Sequence, residues 1–156
     1  MMAALTGADD RAVANKPRRL LAPLAGRNAL ITGCNTGIGQ ECARQLAEMG
    51  ATIYMACRDQ AKAARAREEI MAAVPGLEDS QLQLLSLDLA SQKSIRDCAQ
   101  TFTQLGAPLH ILLNNAGLAG PRRAGGTTAE GIELTIGTNH LGVARCLCNK
   151  ASYSSG

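Results

Sequence analysis

From Arg27 onward, short apolar runs alternate with stretches whose apolar residues recur at helical spacing. Ala29 to Thr32 reads as a first strand, and Ile38 to Met49 as a helix ended by Gly50. Thr52 to Cys57 is apolar on both faces, the pattern of a strand buried in a parallel sheet. A helix of Ala, Lys, Arg and Glu follows from Asp59 to Val74, and Pro75-Gly76 stops it. Leu82 to Leu87 is a third predicted strand. Ser91 is placed to cap the next helix, whose predicted apolar stripe is Ile95, Cys98, Ala99, Phe102 and Leu105. Gly106 and Pro108 end that helix, and His110 to Asn114 is the fourth strand. A Gly/Pro/Arg loop runs from Leu118 to about Gly126. A last helix is expected to begin near Thr128, with Ile132, Ile136 and Leu141 on one face.

Strand alternating with helix marks βαβ units, so the expected class is α/β with a doubly wound, Rossmann-type parallel sheet. Right-handed crossovers leave the strand order 3-2-1-4, truncated after about four strands. A ligand then belongs in the crevice where strands 1 and 4 diverge. The turn after strand 1, Thr32-Gly33-Cys34-Asn35-Thr36-Gly37-Ile38-Gly39, is built for an anion. Gly33 takes a tight turn because it has no Cβ. Gly37 lets the backbone approach a pyrophosphate, and Gly39 lets the helix pack on the strand. The unpaired first-turn amides of that helix then point at the phosphate.

Composition narrows the classes. The chain has 156 residues, 46% hydrophobic and 19% charged, enough for one domain with a core. Residues 1–25 read as a polar arm, 26–148 as the domain and 149–156 as a polar tail. Aromatics at 2% leave no stacking platform for bases, and a net charge of +3 does not point to nucleic acid. No apolar run is long enough to span a bilayer. Arg11, Arg18 and Arg19 would suit an organelle import segment, but Asp9-Asp10 argues against one. The six cysteines, with Cys146-Leu147-Cys148 not a CxxC pair and no histidine at ligand spacing, read as free thiols in a reducing, cytoplasmic setting without a metal.

The glycine turn, with Asn114-Asn115-Ala116-Gly117 after strand 4, resembles the short-chain dehydrogenase/reductase family. Ala56-Cys57-Arg58-Asp59, Leu87-Asp88-Leu89-Ala90-Ser91 and Asn139-His140-Leu141-Gly142 are similar to its retinol-dehydrogenase-like, NADP-preferring branch. The resemblance covers roughly Gly26 to Val143. It implies that Gly33, Asn35, Thr36, Gly37, Ile38 and Gly39 line a dinucleotide site. Asp88 would meet the adenine amino group, Leu89 would line the adenine pocket, and Asn115, Ala116 and Gly117 would floor the adenosine ribose. Asn139 matches the asparagine of the family's proton relay, whereas His140 reads as a structural helix residue. Asn114 is expected to tie strand 4 to its neighbours through its side chain.

The end of strand 2 bears on cofactor choice. An NAD site places a carboxylate there for the ribose 2′-OH. Cys57 stands at that position, followed by Arg58, whose guanidinium can take a 2′-phosphate bidentately, so NADP(H) is the expected cofactor. Asp59 is expected to cap the next helix. The family's reaction is hydride transfer between nicotinamide and an alcohol or carbonyl, and it also needs a Tyr, a Lys four residues later and a Ser. Tyr153 has no such Lys, so neither it nor Ser152 and Ser154 is assigned a role. The expectation is a truncated oxidoreductase whose fourth strand is an open, aggregation-prone apolar edge. The alternative is a catalytically silent nucleotide-binding or interaction protein, associating with a full-length relative through that edge.

Overall fold

The computed structural model describes residues 23–118 and 126–146. Most of the expected N-terminal arm, the middle of the Gly/Pro/Arg loop and the tail with Tyr153 lie outside the described residues. The elements are β1 (Asn28–Thr32), α1 (Gly37–Glu48), β2 (Thr52–Cys57), α2 (Gln60–Ala73), β3 (Leu82–Ser86), α3 (Gln92–Gln104), β4 (Ile111–Leu113) and α4 (Leu134–Ile136). A π-helical segment, Gly137–Gly142, continues α4, and one further turn reaches residue 146. All strand pairings are parallel, and the sheet order is β3-β2-β1-β4. The topology required by right-handed βαβ crossovers is therefore the one adopted.

The sheet buries both faces, which is why β1 and β2 are apolar without alternation. On one face Ala29, Ile31, Ile53 and Met55 meet α1 and α2 through Ala43, Ala47, Ala63, Ala66 and Ile70. On the other, Leu30, Tyr54, Ala56 and Leu85 meet α3 through Ile95, Cys98 and Phe102. Phe102 is fully buried, and its ring meets Tyr54 edge-to-face with centroids 4.8 Å apart. β3 pairs only with β2 among the described strands, and its Gln83 and Ser86 are exposed.

Local chemistry sets the helix starts. The Asp59 carboxylate accepts from the Lys62 backbone amide at 3.0 Å, and the Ser91 hydroxyl accepts from that of Ser94 at 3.3 Å. Both residues therefore cap helices as the sequence suggests. Two expectations need correction. Leu105 is not part of the α3 stripe: the helix ends at Gln104, and Leu105 is 53% exposed beyond it. The last helix does not begin near Thr128. There the Thr128 hydroxyl accepts from the amides of Glu130 and Ile132, holding a turn that bridges Thr127 to Glu133. Glu133 is the cap that starts α4, its carboxylate accepting from Thr135 and Ile136.

The buried face of that last helix is also not the predicted one. Ile136 and Leu141 are exposed, while Gly137, Thr138, Gly142 and Cys146 are buried. Small size decides this: a Cβ on Gly142 would strike the Leu89 carbonyl, and one on Gly137 would strike the Thr128 methyl. The contact selects residues that allow close approach, not the most apolar ones.

These assignments separate two apolar side chains of α3 and its end. Phe102→Ala is expected to cost about 3–5 kcal/mol and Leu105→Ala less than about 0.5 kcal/mol, read from urea denaturation midpoints.

Candidate functional site

At the C-terminal ends of β1 and β4 the two chains diverge, and the turns that leave them are fastened together. The Asn115 side-chain amide donates to the carbonyls of Thr32 and Gly33, at 3.0 and 3.1 Å. The Thr32 hydroxyl, fully buried, accepts from the Ala116 amide at 3.0 Å. Gly33 turns with φ +65° and donates its amide to the Ala56 carbonyl at 2.9 Å, joining the turn to β2 as well. Asn115, not Asn114, is thus the residue that ties strand 4 to its neighbour. Asn114 Oδ1 is buried without a hydrogen-bond partner among the described residues. Just past β4 the Asn115 backbone amide donates to the Leu113 carbonyl at 3.0 Å, a tight turn from which the Asn115 side chain reaches β1's turn.

Glycine is required where the turn meets this fastening. A Cβ on Gly33 would lie 2.8 Å from that of Ala116, and one on Gly39 would run into the Asn115 amide and lie 2.9 Å from the Gly33 carbonyl oxygen. Gly37 has φ +58° and open space where a Cβ would be. α1 starts here without a side-chain cap and without an acid in its first turn, unlike α2 and α3 with their Asp59 and Ser91 caps. Its first amides are therefore left for a ligand or solvent.

Around this turn lies an open cleft of about 590 Å³. All twelve residues that the sequence places at the dinucleotide line it: Gly33, Asn35, Thr36, Gly37, Ile38, Gly39, Arg58, Asp88, Leu89, Asn115, Ala116 and Gly117. Asn139 does not. Its side chain clips the Leu118 backbone, accepting from the amide at 2.9 Å and donating to the carbonyl at 2.8 Å. Its neighbour Thr138 lines the cleft instead, with a buried hydroxyl that has no hydrogen-bond partner among the described residues. The π-helical turn that holds both residues is a geometry found most often at functional sites. His140 is exposed on it.

Charged side chains gather where the adjacent strands β2 and β3 end. There Arg58 is exposed, with no ion-pair partner among the described residues. Lys62 lines the same cleft from the first turn of α2, and sequence reading missed it. Its signal was the i,i+3 spacing from Asp59, whose carboxylate lies 3.6 Å from the ammonium group. The Lys62 backbone amide, and then its charge, hold the Asp59 carboxyl below the ordinary carboxylate range. Asp59 is thus occupied by its own helix and leaves Arg58 unneutralised. The Cys57 side chain does not face the cleft; its sulfur points at Cys34. After the neighbouring strand Asp88 shapes the β3–α3 turn, its Oδ1 accepting from Ala90 at 2.9 Å and its amide donating to Ser94 Oγ at 2.9 Å. Leu89 beside it is buried.

Comparisons with known proteins agree with this geometry. The family model for short chain dehydrogenase matches residues 27–152. Retinol dehydrogenase 11 of Mus musculus is 48% identical over 119 residues, 76% of this chain and 36% of that protein. Retinol dehydrogenase 12 of Homo sapiens is 45% identical over the same share of each. The chain thus spans about a third of the length of these relatives. Among solved structures, the Pseudomonas aeruginosa RhlG/NADP active-site complex matches with a TM-score of 0.69 and 32% identity, covering 85% of this chain and 49% of that one. With a family model spanning the β1 turn, the paired asparagines after β4 and the π-helical segment alike, the chain belongs to the short-chain dehydrogenase family and is similar to its retinol dehydrogenases.

Proposed function

We propose that this chain carries the NADP(H)-binding part of an oxidoreductase that interconverts an alcohol and a carbonyl compound, with apolar substrates of the retinoid kind. One observation carries the reading. The uncapped start of α1 and the cations Arg58 and Lys62 border one cleft at the point where β1 and β4 part. An uncapped helix start suits a pyrophosphate, and two cations, of which Arg58 is in no ion pair among the described residues, suit an additional phosphate on the ribose. The residues present also fit the rest of the group. Gly33 and Gly39 keep the floor free of side chains, Leu89 offers an apolar wall, and the Thr138 hydroxyl has hydrogen-bonding capacity to spare. Bound NADP(H) supplies the hydride donor or acceptor. This chain's own residues bind it, orient it and keep the turn beneath it fixed.

Arg58 is assigned the 2′-phosphate as a bidentate partner, with Lys62 as a point charge beside it. Asp88 and Leu89 are assigned the adenine. Asn115, Ala116 and Gly117 form the floor under the ribose, and Asn115 contributes by holding Thr32 and Gly33 in place. Asn139 is assigned a positioning role: its side chain sets the path of the chain at Leu118, next to Gly117.

Titration of the cofactor's own fluorescence tests these assignments. NADPH is expected to bind more tightly than NADH. Arg58→Ala should weaken NADPH about 10–100-fold and leave NADH within about twofold, the loss expected of a charge-assisted bidentate contact. Lys62→Ala should give a smaller loss that fades as salt is raised, because its charge is exposed and screened. No NADPH binding by folded protein, or equal binding of both dinucleotides with no effect of Arg58→Ala, overturns the reading. Gly39→Ala should destabilise the fold by about 1–3 kcal/mol through overpacking against Asn115 and weaken NADPH together with it. Asn115→Ala should weaken NADPH and lower the stability by about 1–3 kcal/mol, read from urea denaturation, since it strips two partly buried carbonyls of their donor.

A further inference from the structure

Cys34 and Cys57 meet behind the cleft wall. Their sulfurs are 3.9 Å apart, and the residues are 0% and 2% exposed. Cys34 is flanked by Gly33 and Asn35, and Cys57 by Ala56 and Arg58, all four of which line the cleft. The two segments are already joined just upstream, where the Gly33 amide donates to the Ala56 carbonyl. Among the described residues no other pair of cysteines lies within sulfur hydrogen-bonding distance, although Cys98 and Cys146 are near enough to feel each other's charge. Closing the gap to a bond of about 2.05 Å needs each sulfur to move only about 1 Å.

We propose that Cys34 and Cys57 form a reversible disulfide in response to hydroperoxides, and that this link shuts the cofactor cleft. The second half rests on the NADP(H) reading above. The two thiols are not equivalent. The Cys34 S–H, shared between the Cys57 sulfur and the Ile31 carbonyl at 3.3 Å, and then the turn amides of Cys34, Asn35 and Gly33 favour the Cys57 thiolate and leave Cys34 protonated. Cys57 is therefore the attacking sulfur and Cys34 the resolving one. The Cys57 thiolate takes one oxygen of the peroxide, the O–O bond breaks, and the alcohol (water, for hydrogen peroxide) leaves with a proton. Cys34 sulfur then attacks the sulfenic sulfur, the S–O bond breaks, and the hydroxyl departs as water with the Cys34 proton. Two thiols and one peroxide give one disulfide, one alcohol and one water.

Because both sulfurs are buried, the reaction waits on opening of the turn, and a dinucleotide holding the turn slows it. The link draws the end of β2 toward the glycine turn, moving Arg58 and the amides from Asn35 to Gly37 out of their common register.

The test uses the full chain with hydrogen peroxide, then alkylation under denaturing conditions and tryptic digestion. The peptide 28–44 carries Cys42 as well as Cys34, so a Cys42→Ser background assigns the link to 34–57. The expected result is a linked 28–44/45–58 pair that dithiothreitol removes and that forms more slowly under saturating NADPH. NADPH affinity should fall at least about tenfold on oxidation and return on reduction. In Cys34→Ala, peroxide should leave NADPH affinity within about twofold of the same variant untreated. Free thiols at both positions after peroxide, or single sulfurs oxidised without a link, overturn the proposal. A link that leaves NADPH affinity unchanged overturns the closing of the cleft. A chain that forms the link but binds no NADPH when reduced overturns the cofactor reading and the closing with it, and supports the dithiol half alone.

Discussion

The Asn115 fastening is the constraint on which the cleft depends. In a parallel sheet of order β3-β2-β1-β4, the chains leaving β1 and β4 run to opposite sides, and nothing in the strand pairing holds their turns together. One side-chain amide bonded to two carbonyls, with one threonine hydroxyl on a neighbouring amide, does so. Those bonds are partly buried, so they work in a medium where an unmade hydrogen bond is expensive. The glycines then follow. Gly33 and Gly39 are small because the Asn115–Ala116 segment occupies the space their side chains would need. Fixing the turn fixes where the start of α1 points, and that sets where an anion can sit.

Charge placement follows from the same geometry. Arg58 and Lys62 stand where α2 leaves β2, beside the β3 turn that carries Asp88, on residues that the sheet core does not need. The buried layers of the sheet carry no charged side chain among the described residues. The cleft therefore combines a rigid apolar and amide floor with exposed cations at its edge, where they gather a polyanion without a desolvation penalty of their own.

Much of this was legible in the sequence because local and global signals agree. The strand at Thr52–Cys57 and the caps Asp59 and Ser91 were readable since composition, periodicity and turn chemistry all point the same way. The cleft lining was readable because a glycine-punctuated turn after a strand has few physical uses. The failures share one cause, which is contact across the chain. Leu105 continues the α3 periodicity by one turn, yet the helix stops before it. Thr128 looks like a helix cap and instead holds a turn against Ile132, while Glu133 supplies the cap. The choice between Asn114 and Asn115 turns on the tight turn that closes from Asn115 back to Leu113, which no window of sequence fixes. Lys62 is one of several cations in the α2 sequence, and its nearness to Arg58 depends on how α2 departs from β2.

The two sides of the sheet differ in a way that bears on the cleft. α3 docks with Phe102 and Ile95, whereas the buried contacts of α1 and α2 are mainly alanines with Ile70, and Leu46 and Met71 pack partly buried against them. Alanine has no rotamers to surrender on burial, so its part of the contact costs backbone order alone. It also has no rotamers to exchange afterwards. Under the glycine turn, then, the alanine part of the wall has no side-chain freedom through which to yield, and what give there is comes from Leu46, Ile70 and Met71.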